Sequence, residues 1–597
     1  MPVSPYAGID DPTVFLTVNL NGKVMNDIFA IQSIQVDHCV NKISMAELVL
    51  IGEVDIGSNS ITITDSAEFI PGVNIEILAG YGSDATSIFT GIIVRHTVNL
   101  STDSYYSLRI LCKHAAVKMT YNIKDGFFAK KKDSDIINEV IANYGLNCSV
   151  KSTETIYENV YQKMGTDWDF VLSRCDFNGM IITQDGTAIN CISPDFSSSP
   201  VLIIEAGESI ISFEGTVNGE YQPSGVAASA WDAKTLALIK STAAEPTLNA
   251  QGNIPAKNLP GMLEQKALGI ISTTPMPAAD LKTWAEGILL RKRLNAIKGR
   301  VKFQGSPRVK TGNLITIGRV GTRLNGDAFV SAVSHTIEAG TWLTTVEFGL
   351  ENNPIHQSPD FSFAPAGGQL PAIQGIHLAK VKKIDADPES NYRVQVELPS
   401  LSASMADTWV RMAGFYATGN AGSFFLPEIG DEVVVGFFDN DPRFPVILGS
   451  LYNGKNASPY SADAKNSIKA IVTKSLMKLE FNDEKKIITL VTPGNNTIII
   501  SDDAKSIEII DQNNNSIKLE SGGITMTSPK DINIKATGNI NMNATGKINV
   551  SATQDLALTG LNVAATAQVG FTGKGNATAE VSASGQTAIK GAMVMIN

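Results

Sequence analysis

Two carboxylates, Asp439 and Asp441, are the residues of this sequence whose type and spacing come closest to catalytic chemistry. A carboxylate pair can act as general acid and base in the cleavage of a glycosidic bond. The intervening Asn440 and the following Pro442 are turn-forming residues, and they favour a structural role for both aspartates. We therefore expect a turn at this point and no catalytic residue.

Other chemical signatures are missing from the sequence. It contains no HExxH, no GxSxG and no phosphate loop ending in Gly-Lys-Ser/Thr. All six histidines precede Thr408, so the last third of the chain has no histidine cluster that could hold iron or zinc. The five cysteines are odd in number and show no CxxC spacing, which indicates buried, reduced thiols. We predict no enzyme activity, no cofactor and no metal site.

The clearest pattern lies between about Ser516 and Asn597, where apolar pairs recur every eight residues and short polar runs separate them. Within a pair the two side chains stand at i and i+2, on one face of a strand. Each repeat therefore predicts a short strand followed by a turn. The pairs are Ile524/Met526, Ile532/Ile534, Ile540/Met542, Ile548/Val550 and Leu556/Leu558.

One such winding is too small to be stable alone. Burying two apolar side chains contributes roughly 3–6 kcal/mol, whereas ordering about eight residues costs on the order of 12 kcal/mol. Three copies around a common axis would point every pair at the centre, so we predict a homotrimeric β-helical needle. The alternative is a single-chain solenoid, which usually has longer coils or the calcium-binding repeat GGxGxDxUx.

Spacing and composition constrain the rest of the chain. The apolar steps between Ile488 and Ile517 are nine or ten residues long, which suggests a needle that narrows toward its end. The sequence has no run of about 18 apolar residues, so no transmembrane helix is predicted. The first residues lack the basic start and the apolar core of a secretory signal. The net charge of −11 argues against nucleic acid as a partner. We expect a soluble cytoplasmic protein of about four domains.

The first domain, residues 1–352, is predicted to be β-rich, with three inserted helices. Alternating segments between Asp11 and Thr120 indicate a barrel or sandwich. The helices are expected at about 134–144, at about 166–179 with the Thr166 hydroxyl as its cap, and at about 277–298. The expected strands include Val14–Leu20, Ile28–Ile31, Ala46–Leu50 and Val73–Ile77.

An internal echo suggests that this domain contains two related barrels. Gly72, the strand after it and a second strand ending in His96-Thr97 resemble Gly312, its strand and a second strand ending in His335-Thr336, at nearly equal spacing. We expect these histidines to be hydrogen-bonded in place rather than to bind a ligand. Residues 353–372, rich in Pro, Ser and Gly, predict a linker.

Residues 373–455 predict a small closed barrel of the oligonucleotide/oligosaccharide-binding (OB) kind, with five or so short strands and glycine turns. Residues 456–597 would form the needle. The predicted fold is therefore mainly β: a duplicated β-barrel hub with a few helices, a small OB-fold barrel and a C-terminal trimeric β-helix.

Two segments of the small barrel, Phe425–Phe437 and Asp439–Gly454, resemble the signature of VgrG spike proteins, and Thr166–Arg174 resembles the WDFL helix of their hub. VgrG proteins form the central spike of type VI secretion systems and of related contractile injection particles, and they resemble the hub and spike of contractile phage tails. One departure is Asn440, where family members often have glycine; asparagine tolerates the left-handed backbone that this turn needs.

The resemblance implies a homotrimer at the tip of an injection particle, made in the bacterial cytoplasm and delivered outward on contraction. Its hub would dock on a hexameric inner tube, adapt three-fold to six-fold symmetry and nucleate the baseplate with other baseplate proteins. Its needle would puncture the target membrane under a conical tip protein with proline-alanine-alanine-arginine (PAAR) repeats, and effector cargo would travel with it. We expect the apolar C-terminal run to dock that tip protein: Met593, Val594, Met595 and Ile596.

A rival hypothesis is an enzyme, a trimeric β-helical tailspike that cleaves surface polysaccharide with paired carboxylates. Acidic residues after Ile524 are only Asp531, Asp555 and Glu580, which are widely spaced, and Phe571 is the only aromatic ring there. The sequence therefore favours the mechanical spike.

Overall fold

The computed structural model describes residues 3–53, 62–100, 105–232, 237–272, 274–352, 365–366, 370–399 and 407–596. The fold is mainly β, which confirms the predicted fold class. The chain divides into two compact units, Met1–Ser458 and Pro459–Asn597. Within the described ranges, no helix has both the length and the apolar character needed to span a membrane.

The first unit begins with a β-rich region that runs to the end of the predicted hub. Its strands are β1 (Val14–Leu20), β2 (Lys23–Val24), β3 (Ala30–Cys39), β4 (Met45–Glu53), β5 (Asn74–Tyr81), β6 (Asp84–Leu100), β7 (Tyr105–Lys113), β8 (Ile123–Lys132), β9 (Cys148–Val150), β10 (Ile156–Thr166), β11 (Ile181–Asp185), β12 (Ala188–Ile192), β13 (Leu202–Glu205), β14 (Ile210–Val217), β15 (Val226–Asp232), β16 (Ala237–Thr242), β17 (Leu268–Ser272), β18 (Ile297–Gln304), β19 (Leu314–Gly318), β20 (Gly326–Glu338) and β21 (Thr341–Phe348). The strand predicted at Ile28 begins two residues later, at Ala30.

The helices are α1 (Thr62–Asp65), α2 (Asp133–Ala142), α3 (Asp167–Phe177), α4 (Leu259–Met262) and α5 (Ala278–Leu294). The predicted helices at 134–144 and 166–179 correspond to α2 and α3. The third prediction was wrong at its C-terminal end, because α5 ends at Leu294 and not near Lys298. Asn295 caps the helix and donates its side-chain amide to Leu350 O at 3.0 Å. The alternating residues that follow enter β18, where they pair with β14 and β21.

Thirteen strands form the main sheet, in which β14, β18, β21, β20, β3, β4, β7, β6, β5, β1 and β2 follow one another, and β13 and β19 pair beside this path. The first and second halves of the region join where β3 pairs antiparallel with β20. Each half has its own apolar core, the first including Leu48 and Ile110 and the second including Phe303 and Val346. Ile337 and Trp342 of the second half also pack in the first core, so the two cores meet where β3 pairs with β20.

The internal echo is visible in the hydrogen bonds of both halves. Gly72 N donates to Ile93 O at 2.8 Å, and Gly312 N donates to Val330 O at 2.9 Å. The ladder of β6 with β7 is irregular immediately after Ile93, and the ladder of β20 with β21 is irregular immediately after Val330. The two halves therefore repeat the same strand arrangement.

The two histidines of the echo are not equivalent, which corrects the sequence alignment. Counted from the carbonyl that accepts the glycine N–H, His96 is the third residue after Ile93, whereas His335 is the fifth after Val330. His96 lies opposite Ile110, and His335 lies opposite Thr344. The matching His-Thr pairs arise from strands that differ in length.

Smaller sheets carry the helices. The α2 and α3 helices share an apolar core with the sheet of β9, β12 and β11, and α5 packs on β15 in the sheet of β16, β15 and β17. β8 and β10 form a two-stranded ribbon. The predicted linker at 353–372 lies mostly outside the described residues; within it, β22 (Pro365–Ala366) pairs with β23 (Leu370–Pro371).

The predicted OB-type barrel is present. Five strands close on themselves in the order β24, β25, β26, β30, β29, and a short hairpin, β27 with β28, extends from the connection between β26 and β29. The alternating valines of these strands fill the interior, including Val396, Val410 and Val435. The strands are β24 (His377–Lys383), β25 (Arg393–Glu397), β26 (Thr408–Met412), β27 (Ala417–Thr418), β28 (Ala421–Gly422), β29 (Glu432–Phe437) and β30 (Pro445–Ser450).

The second unit contains one sheet of seven five-residue strands. Each strand pairs antiparallel with the next one along the chain: β31 (Ile468–Val472), β32 (Lys478–Asn482), β33 (Ile487–Val491), β34 (Thr497–Ser501), β35 (Ser506–Ile510), β36 (Ser516–Glu520) and β37 (Gly523–Thr527). The longer steps before Ile524 are therefore hairpins within one chain rather than wider windings, because each hairpin needs a turn of its own. Residues 528–596, all described, form no β-ladder within the single chain.

Candidate functional site

The predicted WDFL-like helix is a buried structural element. The Thr166 hydroxyl caps α3 by accepting the Asp169 N–H at 3.1 Å, as predicted. Trp168 and Phe170 lie in the apolar core that α3 shares with α2. The motif therefore fixes the helix in the hub and does not present it to solvent.

Arg174, at the end of this motif, forms an ion pair that is almost completely buried. Its Nε and Nη2 donate to Asp133 Oδ1 and Oδ2 at 2.6 and 2.5 Å, and the Asn178 side chain donates to the same carboxylate at 2.8 Å. Burial disfavours the charge of Arg174, but the neighbouring Asp133 carboxylate outweighs burial, so the pKa of the guanidinium is raised. The rings of Tyr157 and Phe177 lie 5.4 and 5.1 Å from the guanidinium carbon. The pair ties α2 to α3.

The turn between β29 and β30 holds the two carboxylates that could have been a catalytic pair. Asp439 and Asn440 both have left-handed backbones, with φ of 49° and 58°. Asp441 is fully buried and accepts Arg443 Nε and Nη2 at 3.0 and 2.7 Å and Arg443 N at 2.9 Å. Both aspartates therefore build the turn, as predicted, and Asn440 adopts the left-handed backbone that was expected of it.

The same turn lies where the hub contacts the barrel. Thr274 Oγ1 is 3.4 Å from Asp441 Oδ2. Tyr161 of β10 packs in the barrel core, and its hydroxyl is 2.7 Å from Thr408 Oγ1. Burial raises the pKa of the Tyr161 phenol to about 12. Sequence reasoning missed this contact, because a tyrosine in an alternating strand gives no sign of its partner far along the chain.

One face of the seven-stranded sheet is apolar and uncovered within the chain. Apolar residues lie opposite one another on neighbouring strands and so form continuous rows across the sheet. Examples are the cross-strand partners Ile498 and Ile509, and Ile500 and Ile507. Ile498, Ile500 and Ile507 are 39%, 43% and 41% exposed. We call this surface the needle face; its two rows are Phe481, Ile488, Ile500, Ile507, Leu519 and Ile524, and Ile471, Leu479, Leu490, Ile498, Ile509, Ile517 and Met526.

The opposite face of the sheet is mixed, with Thr489, Ile499, Glu508 and Lys518 in consecutive cross-strand register. Sequence reasoning found the apolar i/i+2 pair only from Ile524 onward. The same i/i+2 pair occurs in every strand from β32 to β37. The pair is harder to recognise before Ile524, because several of those strands also contain isoleucines on the other face.

The apolar pairs predicted between Ile532 and Leu558 are all more than half exposed in the single chain, and so are Leu561 and Phe571. The C-terminal residues expected to bind a tip protein, Met593–Ile596, are also largely exposed. We call these four residues the tip segment.

The described histidines make hydrogen bonds within the fold, and the cysteines form no disulfide. His38 Nδ1 is 2.9 Å from Ser44 Oγ, and His335 Nδ1 is 2.9 Å from Thr344 Oγ1. All five cysteines are unpaired. Among the described residues, no three His, Cys, Asp or Glu side chains are grouped so that they could hold a metal ion.

A cavity of about 470 Å³ lies in the hub, where Leu248, Arg293 and Phe329 contribute to its lining. Arg293 Nε and Nη2 donate to Glu245 at 2.7 and 3.0 Å, and its Nη1 donates to Pro223 O at 3.0 Å. Each guanidinium nitrogen thus donates to a group within the chain, which holds Arg293 in place at the wall of the cavity.

Sequence comparisons match this chain to known spike proteins. The "Type VI secretion system spike protein VgrG3" of Vibrio cholerae serotype O1 is 31% identical over 133 residues, which are 21% of this chain and 12% of that protein. The "Type VI secretion system spike protein VgrG1a" of Pseudomonas aeruginosa is 26% identical over 213 residues, which are 32% of this chain and 33% of that protein. The chain thus matches a third or less of the length of these curated relatives.

Structural comparison gives the same fold over more of the chain. The structure titled "Structure of Francisella PdpA-VgrG Complex, half-lidded" aligns with a TM-score of 0.52 and 9% identity, covering 88% of this chain and 89% of that one. At this identity the likeness concerns the fold alone. Two family patterns also match: "Alg8 N-terminal domain" over residues 10–339, more than half of the chain, and "Type VI secretion system/phage-baseplate injector OB domain" over residues 377–452.

Along the chain, the structure thus has a β-rich hub, a closed barrel that matches the injector OB domain and a β-sheet with one uncovered apolar face. The chain belongs to the family of the Alg8 N-terminal domain, whose pattern matches residues 10–339. Its predicted resemblance to VgrG proteins is confirmed, because the curated relatives are VgrG spike proteins and residues 377–452 match the injector OB domain.

Proposed function

We propose that three copies of this chain form the central spike of a contractile injection particle, in which the hub docks on a hexameric inner tube and the C-terminal unit is the puncturing needle. The needle face is the observation that carries this proposal. All of its side chains except the half-buried Leu479 are more than a third exposed, and covering one contributes on the order of 1 kcal/mol. A continuous apolar surface of this kind is characteristic of an interface.

Two further copies are the occupants that fit the needle face. The face has two apolar residues per strand, as the later apolar pairs have, so the same axis can bury both regions. Residues 528–596 make no β-ladder within the chain, which supports strands that pair with other copies rather than with their own coils. A single-chain solenoid would bury its own apolar pairs, and Ile534, for example, is 66% exposed.

The repeated strand arrangement of the hub supports the match to a hexameric tube. Three copies with two similar halves each would present six similar modules around the axis. A cyclic trimer can in this way meet a six-fold partner with nearly equivalent surfaces. The hub would also nucleate the baseplate, together with other baseplate proteins, at the tip of the particle, and on contraction it would be delivered outward.

The proposed role is mechanical, with a conical PAAR-type protein on the tip segment and effector cargo on the spike. One relative with 27% identity over 120 residues is named "Actin cross-linking toxin VgrG1", and these residues are 11% of that protein. The match leaves most of the toxin's length outside this chain.

The trimer is tested with two substitutions in one strand. Ile500→Lys places a charge in the needle face, whereas Ile499→Lys places the same charge on the opposite face, beside Glu508. In sedimentation equilibrium we expect wild type and Ile499→Lys to contain three copies and Ile500→Lys to dissociate. A monomeric wild type whose needle resists protease would refute the proposal.

The enzymatic alternative is tested separately. The purified chain is incubated with purified surface polysaccharide, and new reducing ends are counted. We expect no cleavage, and cleavage by this chain alone would favour the tailspike hypothesis.

A further inference from the structure

The needle sheet has two lateral edges of different chemistry. Successive strands are joined by turns that alternate between the edges, so the turns at 483–486 and 502–505 lie on one edge, and those at 492–496 and 511–515 lie on the other. We call the first the charged edge and the second the amide edge.

The charged edge has exposed ionic groups in its 502–505 turn, whereas Asp483 and Glu484 of its 483–486 turn pair with Lys469 and Lys465. Asp502, Asp503 and Lys505 are exposed, and they make no ion pair within the part of the chain that the structure describes. Lys505 has φ of 50°, so the turn is tight and its side chains project from the edge of the sheet. Charges presented in this way are available to a neighbouring molecule.

The amide edge is rich in asparagine and glutamine and has one charged residue, Asp511, which accepts the side-chain amides of Asn513 and Asn515 at 3.3 and 2.8 Å. Asn496 Oδ1 accepts the Gln512 N–H at 3.1 Å, which links consecutive turns along this edge. Asn495 and Asn514 both have φ of 64° and are exposed. Side-chain amides can donate to carboxylates and accept from ammonium groups.

Rotational symmetry decides which edges meet. In a closed three-fold ring, contacts are heterologous, so one edge of each sheet lies beside the other edge of the next sheet. Two like edges can meet only around a two-fold axis, and that contact would bring Asp502 and Asp503 against their own copies. The turns of the two edges also alternate in height by one strand, about 4.8 Å, so they can interleave.

We propose that the charged edge of one copy binds the amide edge of the next, so that interleaved turns hold the copies together at the three corners of the needle. Carboxylates of the 502–505 turn accept hydrogen bonds from the amides of the 492–496 and 511–515 turns of the neighbouring copy, and Lys505 donates to an amide oxygen. This inference rests on the trimer proposed above and assigns its corner contacts.

Cysteine cross-linking of the full chain tests the corner. In the double variant Asp503→Cys/Asn513→Cys, one cysteine lies on each edge, and a short bis-maleimide is added. Because each copy is then linked to the next, we expect covalent trimers on denaturing gels. The single variants Asp503→Cys and Asn513→Cys and the wild type, which has five native cysteines, are expected to stay at the mass of one chain.

The outcomes separate the two proposals. Covalent dimers from Asp503→Cys alone would mean that like edges meet, and this result would overturn the corner assignment. If the double variant sediments as three copies but is not cross-linked, the corner assignment is also overturned, and the trimer proposal stands. Sedimentation at one copy would refute both.

Discussion

Arg174 and Asp133 show how a single side chain determines the packing of the hub. The sequence motif identified the helix that contains Arg174, but the partner lies on another helix, and only the fold brings the two together. Removing one member of such a pair leaves the other charge buried without compensation. The pair is therefore sensitive to substitution although no chemistry takes place there.

We predict that Arg174→Met lowers the free energy of unfolding by about 3–5 kcal/mol, because Asp133 would keep its buried charge. The matched control is Lys131→Met, which breaks the exposed pair with Glu139 and should change stability by about 0.5 kcal/mol or less. Urea unfolding followed by tryptophan fluorescence measures both. Equal effects of the two variants would contradict a special role for Arg174.

Two buried histidines predict how stability depends on pH. Burial lowers the pKa of His114 to about 4, and burial together with the nearby His38 lowers the pKa of His335 to about 3. The folded state thus favours the neutral rings, and the unfolded chain binds more protons below its ordinary histidine pKa of about 6.5. This contribution to stability is fully present above about pH 6.5 and is lost as pH falls toward about 4 for His114 and about 3 for His335.

For His114 this linkage amounts to about 2 kcal/mol between about pH 7.5 and about pH 5. We predict that His114→Asn, which retains an acceptor for the Ala116 N–H, reduces the loss of stability over this interval by that amount. Urea unfolding at the two pH values measures the difference. A variant with the same pH dependence as the wild type would show that His114 does not titrate in this way.

At the scale of elements, the end of β18 depends on a glycine. A Cβ at Gly305 would lie 2.1 Å from Trp342 Cδ2, and Gly305 N also donates to Trp342 O at 2.9 Å. Trp342 of β21 is almost fully buried, so it has no space to move away. The contact between β18 and β21 therefore requires the absence of a side chain at this position.

We predict that Gly305→Ala destabilises the hub by about 1–3 kcal/mol or more, because the added methyl group overpacks the core. Gly269→Ala in β17 is the control, since a Cβ there meets nothing within 4 Å. Thermal unfolding monitored by near-UV circular dichroism compares the two variants. Full tolerance of Gly305→Ala would mean that β21 can shift.

At the scale of the whole molecule, the tip segment is expected to bind its partner without holding the trimer together. The needle face and the earlier apolar pairs lie upstream of residue 593, so we expect the proposed trimer to form without the segment. An exposed apolar run at the end of the needle is a surface that a partner would cover.

We predict that truncation after Ala592 retains three copies in sedimentation and abolishes capture of a purified PAAR-type tip protein. Lys590→Ala, just before the segment, is the control and should bind the tip protein as the wild type does. Undiminished capture by the truncated chain would place the docking surface elsewhere.

Local patterns allowed much of the fold to be predicted. Strand alternation gave the closed barrel and β1, and capping residues gave α2 and α3, because these signals act within a few residues of the chain. The end of α5 and the alignment of His96 with His335 were predicted incorrectly, since both depend on pairing partners distant in sequence. The needle meander was missed because a strand of a hairpin and a strand of a winding share the same i/i+2 apolar pair, and the longer steps between the strands were interpreted as wider windings.

The sequence by itself determined the mainly β architecture, the duplicated strand pattern, the turn at Asp439–Asp441 and the family resemblance, since each depends on residue types at short and fixed spacing. Only the tertiary structure decided that Arg174 pairs with Asp133, that Tyr161 enters the barrel core and that one face of the needle sheet is left uncovered. Such contacts depend on which distant segments become neighbours, and chain folding alone fixes that choice.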